Sequence, residues 1–298
     1  MQPDTKTIKT RGYQFETLIW GDGGPKVLLL HGFPESPHIF DSLAIRLADS
    51  GYQVFAPFLP GYGATPPLNP DTGITFLDEL AHAFAAFADC ITRDKEKVIL
   101  VGHDWGAAAA YVTAGYHSGR FSKLIALSVP PLPAFLRSFL RHPSQLFRSR
   151  YMLFFQLPGI AERVIRRNDY RYLRLLCKSW AGSCETSEVY FSGDQAAFNA
   201  IPDYRYPLGY YRGLMPFFSG SVKAWRKSMR LAFRKIDVQT TIMVGERDGC
   251  IAPAVYHGFE NQFRNGVTLD IVKNTGHFLP LDAPDAVLRK IVQRESRE

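Results

Sequence analysis

Asp104, Asp248 and His277 could together carry out nucleophilic and acid–base chemistry, and each follows an apolar run of the chain. The runs occupy residues 97–101, 240–244 and 267–272. A carboxylate can attack carbon, a histidine can activate water, and a second carboxylate can hold the histidine in position. Because the carboxyl ends of parallel strands lie at one edge of a sheet, we expect the three side chains to meet there.

Residues 102–106 (GHDWG) have the G-x-S-x-G spacing of a nucleophile elbow, with Asp104 at the position of the serine. Glycines suit a strand-to-helix turn that leaves no room for side chains and strains the backbone of the central residue. Residues 97–101 are predicted to form the strand, and the small residues after Gly106 the helix. The alternative is an ordinary glycine-rich turn in which Asp104 only caps the helix.

The remaining periodicity predicts the elements that must position these three segments. Residues 7–19 are predicted to form an opening strand or a hairpin, and further strands are predicted over residues 26–30, 52–56, 124–129 and 238–244. Helices are predicted over residues 39–50, 76–91 and 284–294 and directly after Pro253. Residues 134–235 have helical periodicity and lack strand-like runs, so we expect them to form a helical insertion.

The composition of the 298 residues is that of a globular protein, with 46% hydrophobic and 21% charged residues. No apolar run approaches the roughly 20 residues of a membrane span. Residues 1–6 lack the basic-then-apolar order of a signal peptide, so a cytoplasmic location is expected. Four cysteines at irregular spacing indicate neither a disulfide scaffold nor a metal site, and no metal or other cofactor is expected.

The net charge of +7 is unevenly distributed along the chain. Residues 134–235 contain 18 Lys and Arg against 6 Asp and Glu. Such a block could attract anionic lipid or an acidic partner. Its arginines alternate with Leu and Phe rather than clustering, which favours solvated helix faces over an apolar interior. No nucleic-acid partner is expected.

Four segments together closely resemble the epoxide hydrolases of the α/β-hydrolase superfamily: residues 31–35 (HGFPE), 102–106 (GHDWG), 245–248 (GERD) and 276–278 (GHF). The resemblance spans nearly the whole chain. It implies an α/β-hydrolase fold, in which helices flank a mostly parallel central sheet and a helical cap is inserted before the last strands. The expected domains are the first part of the core over residues 1–133, the cap over 134–235 and the second part of the core over 236–298.

The resemblance also implies a role for each catalytic residue. Asp104 would attack an epoxide carbon to form an alkyl ester, His277 would activate the water that hydrolyses this ester, and Asp248 would orient His277. The backbone amides of Phe33 and Trp105 would hold the oxyanion that forms on the Asp104 carboxyl.

The turn at residues 31–35 resembles the turn of the family, in which the bond before the proline is cis. We therefore predict a cis bond between Phe33 and Pro34, with the Phe33 amide aimed at Asp104. Phe33, Pro34 and Trp105 are accordingly predicted to bind the substrate.

Two stretches of the insertion, residues 151–159 and 209–212, look like the cap segments that carry the family's two acid tyrosines. The resemblance assigns those roles to Tyr151 and Tyr211. Simple packing within the cap is the alternative for both tyrosines, and Tyr210 rivals Tyr211 because it is adjacent.

The predicted activity is hydrolysis of an apolar epoxide by water to a vicinal diol. The apolar preference is inferred from aromatic residues of the cap, namely Phe139, Phe147, Phe154, Phe155, Trp180, Phe198, Phe217 and Phe218. One alternative is a haloalkane dehalogenase with the same nucleophile, although many of these carry Asn where this chain has Phe33. The other is a non-catalytic binding protein, which would be expected to have lost a member of the catalytic set. A homodimer is left open.

Overall fold

The protein is described here by a computed structural model that covers residues 1–93, 96–193, 196–217 and 220–293. Eight strands form one sheet in the order β1-β2-β4-β3-β5-β6-β7-β8. They are β1 Asp4–Thr10, β2 Tyr13–Trp20, β3 Lys26–Leu30, β4 Gln53–Pro57, β5 Val98–His103, β6 Phe121–Leu127, β7 Thr240–Gly245 and β8 Val267–Val272. β2 pairs antiparallel with β1 and β4, and all other pairs are parallel. The predicted mostly parallel sheet is confirmed.

The inner strands are buried almost throughout because helices cover both faces of the sheet. The flanking helices are α1 Asp41–Asp49, α2 Leu77–Ile91, α3 Trp105–Tyr116, α13 Leu279–Asp282 and α14 Pro284–Val292. The alanine-rich α3 approaches β3 closely. A Cβ on Gly106 would lie 1.9 Å from the carbonyl oxygen of Leu30, so this approach requires glycine.

Helices occupy the described part of the stretch between β6 and β7. They are α4 Leu132–Arg141, α5 Pro143–Arg148, α6 Arg150–Phe154, α7 Ile160–Arg166, α8 Arg171–Ala181, α9 Glu185–Gly193, α10 Ala196–Asn199, α11 Arg205–Gly213 and α12 Val222–Ala232. This agrees with the helical periodicity of the sequence. The division of the chain after residues 133 and 235 stays a prediction.

Two predicted elements differ from the structure. The helix expected after Pro253 is wrong, because only a 3-10 turn over Pro253–Val255 forms there. Tyr256 has a non-helical backbone and Gly258 has φ of +69°, which ends the turn. β6 ends at Leu127 rather than at residue 129, and the last helix ends at Val292, before the predicted end at residue 294, which lies outside the described residues.

No helix in the described ranges is both long enough and apolar enough to span a membrane. All four cysteines are free thiols, three of them buried.

Candidate active site

Asp104 lies in the turn between β5 and α3 and has φ of +50°, a value that L residues rarely adopt. The turn is crowded, since a Cβ on Gly32 would lie 2.4 Å from the Cβ of Asp104. The Asp104 side chain makes no capping hydrogen bond to α3. The helix-cap alternative is therefore wrong, and the strained turn instead presents the carboxylate away from the helix.

The backbone of Phe33 provides one contact to this carboxylate. The Phe33–Pro34 bond is cis, as predicted. The Phe33 amide donates a hydrogen bond of 2.9 Å to Asp104 Oδ1. Within the described ranges the Trp105 amide makes no such bond, so its part as a second donor stays a prediction.

His277 and Asp248 follow β8 and β7, as the sequence predicts, and their side chains meet. His277 Nδ1 lies 2.9 Å from Asp248 Oδ2, and both side chains are buried. The other Asp248 oxygen accepts from the amides of Cys250 and Ile251 at 2.7 and 2.8 Å. These bonds fix the carboxylate that orients the imidazole.

The other ring nitrogen of His277 faces Asp104. Nε2 lies 3.5 Å from Asp104 Oδ2, and no described group hydrogen-bonds to it. Burial lowers the pKa of His277, but the charge of Asp248 and the contact with Asp104 outweigh this and raise the pKa to about 10. The resting site thus holds an imidazolium between two carboxylates.

The Asp104 carboxylate is kept ionised by its surroundings. Burial raises its pKa, but the close contact with the charged His277, the charge of His103 and the Phe33 amide together bring the pKa below the usual value. An ionised carboxylate is the form that can attack carbon.

Tyr151 and Tyr211 lie on the walls of the cavity that also exposes Asp104. Their ring centroids are 5.9 Å apart, and the rings are nearly perpendicular. The Tyr211 hydroxyl is buried with no hydrogen-bond partner among the described residues, whereas the Tyr151 hydroxyl contacts Cys250 Sγ at 3.5 Å. Burial raises the pKa of both phenols well above its usual value, so both remain protonated at neutral pH.

Tyr210, the rival of Tyr211, points elsewhere. Its hydroxyl donates to the Pro60 carbonyl at 2.9 Å, and the described wall of the cavity does not include it. This placement favours Tyr211 as the second acid, a role that stays a prediction.

The cavity above Asp104 encloses about 640 Å³ of empty space, a volume that includes open solvent at its mouth. Besides Asp104, Tyr151 and Tyr211 it is lined by Leu77, Trp105, Ala108, Tyr111, Val112, Val129, Pro130, Leu132, Phe135, Met152, Leu214, Ala232 and Ile251. Two further polar groups belong to wall residues: the Tyr111 hydroxyl, which donates to the Val129 carbonyl, and the indole N–H of Trp105, whose ring contacts Tyr211. The wall residues are otherwise apolar apart from the Asp104 carboxylate and the Tyr151 and Tyr211 hydroxyls.

The sequence reasoning chose the wrong aromatic residues for this wall. None of the cap aromatics on which the apolar preference rested lines it among the described residues, and Phe218 lies outside them. Phe217 is 93% exposed, and Trp180 packs instead against His277 and Tyr151. Of the predicted substrate-binding residues, Trp105 lines the cavity, whereas Phe33 and Pro34 are buried outside its described wall.

Sequence reasoning also missed a buried pair that supports the site. His103 Nδ1 lies 2.9 Å from Glu35 Oε2, and His103 Nε2 lies 2.8 Å from the His277 carbonyl oxygen. The Ser128 hydroxyl donates to the same carbonyl. Their place in the sequence could have indicated this role, because Glu35 and His103 lie inside the two motifs nearest Asp104.

Comparisons with known proteins identify the family of the chain. The sequence model of the alpha/beta hydrolase family matches residues 27–290. Epoxide hydrolase 3 of Xenopus tropicalis is 30% identical over 294 residues, covering 96% of this chain and 75% of the relative. Epoxide hydrolase 4 of Mus musculus is 29% identical over 293 residues, covering 94% and 76%. A solved structure of Bacillus megaterium epoxide hydrolase with an inhibitor has a TM-score of 0.74 at 23% identity, covering 95% of this chain and 96% of that one, and is similar in fold.

Proposed function

The chain belongs to the alpha/beta hydrolase family, with epoxide hydrolases among its relatives, and we propose that it hydrolyses an apolar epoxide through an ester on Asp104. One observation carries the proposal. An ionised carboxylate and two protonated phenols line the same apolar cavity. A carboxylate can open an epoxide from one side while a phenol protonates the oxygen that leaves, and this combination suits an epoxide better than a halide.

In the first step Asp104 Oδ2 attacks a ring carbon, and the bond from that carbon to the epoxide oxygen breaks. The electron pair of that bond moves to the oxygen, which takes a proton from Tyr151 or Tyr211. The product is an alkyl ester of Asp104 with a neighbouring hydroxyl group. Oδ2 is the attacking atom because Oδ1 accepts the Phe33 amide.

Forming the ester removes the negative charge 3.5 Å from His277 Nε2. The pKa of His277 falls as this charge disappears, and the imidazolium can donate its proton to the phenolate formed in the first step. The count of protons then balances, and His277 becomes a neutral base next to the ester.

In the second step His277 Nε2 takes a proton from water while the water oxygen attacks Asp104 Cγ. Negative charge develops on Oδ1, where the Phe33 amide already donates a hydrogen bond. One such donor is typically worth about 3 to 4 kcal/mol to the transition state. Collapse of the intermediate breaks the bond between Cγ and Oδ2, and the diol oxygen takes up the proton held by His277. The second proton of the water, left on the Asp104 carboxyl, then passes to His277, which restores both the carboxylate and the imidazolium.

The direct test is to offer the full-length protein a panel of aryl and alkyl epoxides beside haloalkanes of similar size. We expect diol from the apolar epoxides, with polar epoxides poorer because the cavity offers them few hydrogen-bond partners. Halide release faster than diol formation would establish the dehalogenase instead. Binding of an epoxide without any product would favour the non-catalytic alternative.

A further inference from the structure

The outer sides of α4 and α5 expose large apolar residues among arginines. Leu140 is 88% exposed and Phe147 68% exposed, although large apolar side chains are usually buried in at least part of their surface. We propose that this surface docks onto an anionic lipid bilayer. The surface, called the α4–α5 face, consists of Leu136, Arg137, Leu140, Arg141, Leu146 and Phe147.

The inner sides of both helices are already occupied, which defines the outer face. In α4, Phe135 and Ser138 are buried, and in α5 Gln145 is buried and hydrogen-bonded to the Cys250 carbonyl. Leu136 and Leu140 are four residues apart, as are Arg137 and Arg141, so each pair lies on one side of α4. All members of the face are solvent-exposed.

The segment of the chain that carries the face has charge of one sign. The sequence contains no Asp or Glu from residue 105 to residue 161. In the described parts of the chain, neither Arg137 nor Arg141 forms an ion pair with a carboxylate. Arg137 donates to the Gly258 carbonyl, and Arg150 stacks on the Phe147 ring at 4.1 Å. Neither contact involves a carboxylate, so neither neutralises the positive charge of its arginine.

A bilayer surface of anionic lipid matches both features of the face. Leu and Phe side chains can enter the boundary between headgroups and acyl chains, while guanidinium groups bind the lipid phosphates. A second copy of the chain fits less well, since a two-fold interface would bring together two faces that both carry arginines and no carboxylate. An acidic protein would match the arginines but not the exposed Leu140 and Phe147.

Docking would also place the cavity beside the bilayer. The inner side of α4 contributes Leu132 and Phe135 to the cavity wall, directly behind the exposed face. If the proposed function is right, an apolar epoxide dissolved in the membrane would be concentrated next to the site. The docking itself does not depend on that function, and its test needs no substrate.

The test is cosedimentation of the full-length protein with sucrose-loaded vesicles, comparing phosphatidylcholine alone with phosphatidylcholine containing about one third phosphatidylserine. We expect binding to the anionic vesicles only, weakened by high salt. Arg137→Gln with Arg141→Gln should lower the affinity about 25-fold, since each arginine near an anionic surface is worth roughly fivefold. Leu140→Ser with Phe147→Ser should lower it about tenfold or more.

The control variants make the same changes elsewhere. Arg11→Gln with Arg289→Gln removes the same charge outside the face, and Leu175→Ser with Ile271→Ser removes exposed apolar residues from α8 and β8. Both controls should bind vesicles like the parent. All variants should keep the parent's thermal unfolding midpoint within about 1 °C, because every changed side chain is exposed.

Three results would overturn the proposal. One is absence of binding to anionic vesicles by the well-folded parent. The second is equal loss of binding in the controls and in the face variants. The third is a dimer in sedimentation analysis that Leu140→Ser with Phe147→Ser dissociates, which would make the face an interface between copies.

Discussion

Removing single hydroxyl groups from the neighbouring residues Tyr210 and Tyr211 separates catalysis from stability. The Tyr211 hydroxyl lines the cavity with no hydrogen-bond partner among the described residues. The Tyr210 hydroxyl donates to the buried Pro60 carbonyl at 2.9 Å. Tyr211→Phe should therefore damage activity without damaging the fold, and Tyr210→Phe should do the reverse.

The size of each effect follows from these contacts. A buried hydroxyl without a partner costs about 1 to 3 kcal/mol, so Tyr211→Phe should leave the free energy of unfolding unchanged or raise it. Tyr210→Phe should lower it by about 1 to 2 kcal/mol, because the Pro60 carbonyl loses its donor. In a chain of this size that corresponds to a fall of about 2 to 4 °C in the unfolding midpoint.

The catalytic effect depends on the second phenol, Tyr151. General-acid help is typically worth about 10² to 10⁴ in rate, and two donors to one oxygen are partly redundant. Tyr211→Phe should slow diol formation about 10²-fold, since Tyr151 can still protonate the oxygen. Tyr151→Phe with Tyr211→Phe should slow it by about 10⁴, or roughly 5 kcal/mol in activation free energy.

The assay is diol formation under single-turnover conditions, together with thermal unfolding of the same preparations. Activity close to that of the parent in the folded double variant would mean that the phenols are packing residues and would refute the reasoning. A loss of activity in Tyr210→Phe equal to that in Tyr211→Phe would refute the assignment of the second acid.

Three further predictions concern His277 and Asp248. His277→Ala should consume about one equivalent of epoxide and stop, and mass spectrometry should find a substrate-sized adduct on the peptide containing Asp104. Continued turnover would contradict the proposal that Asp104 forms the ester and His277 drives its hydrolysis. Asp248→Asn should also accumulate ester, because an amide facing His277 Nδ1 imposes the wrong tautomer on the imidazole. In a rapid-quench assay this variant should hydrolyse the ester about 10³ to 10⁴ times more slowly than the parent. Loss of ester formation alone would contradict the orienting role of Asp248. Burial lowers the pKa of His277 in the folded protein, but Asp248 and Asp104 outweigh burial and raise this pKa to about 10. In the unfolded chain the pKa is about 6.5. The stability that the imidazolium adds to the fold is therefore complete below about pH 6.5 and is lost as the pH rises towards 10. The unfolding midpoint of the parent should therefore fall more between pH 7 and pH 10 than that of His277→Gln, and parallel curves would show that His277 is not an imidazolium in the resting site.

The strands and the motif residues could be predicted because their signals are local. The run over residues 26–30 is apolar at all but its first position and forms β3 with the same bounds. The glycines of residues 102–106 reflect close packing, and the structure shows what they avoid: a Cβ on Gly102 would lie 2.3 Å from the Gly106 carbonyl oxygen. Such steric requirements are written into residue types and can be recognised without tertiary contacts.

The cavity wall could not be predicted in the same way, because it is assembled from distant elements. Leu77 of α2, Val112 of α3 and Ala232 of α12 meet there, although none belongs to a motif. The described cap aromatics on which the apolar preference rested instead pack outside this wall or face solvent, as Phe147 does. Residue type indicates that a side chain is apolar, but which apolar surface it covers depends on helix packing that the sequence pattern does not encode.

The buried pair of Glu35 and His103 adds no net charge to the site. His103 Nε2 faces the His277 carbonyl oxygen and must donate to it, so His103 carries a proton there. The contact between Nδ1 and the Glu35 carboxyl then holds one more proton, and the pair is neutral overall whichever partner carries that proton. Asp104, Asp248 and protonated His277 leave the resting site with one net negative charge, and ester formation on Asp104 removes it. In the proposed mechanism His277 therefore gives up its proton after Asp104 has reacted, and the order of the two proposed steps follows from the positions of five buried side chains.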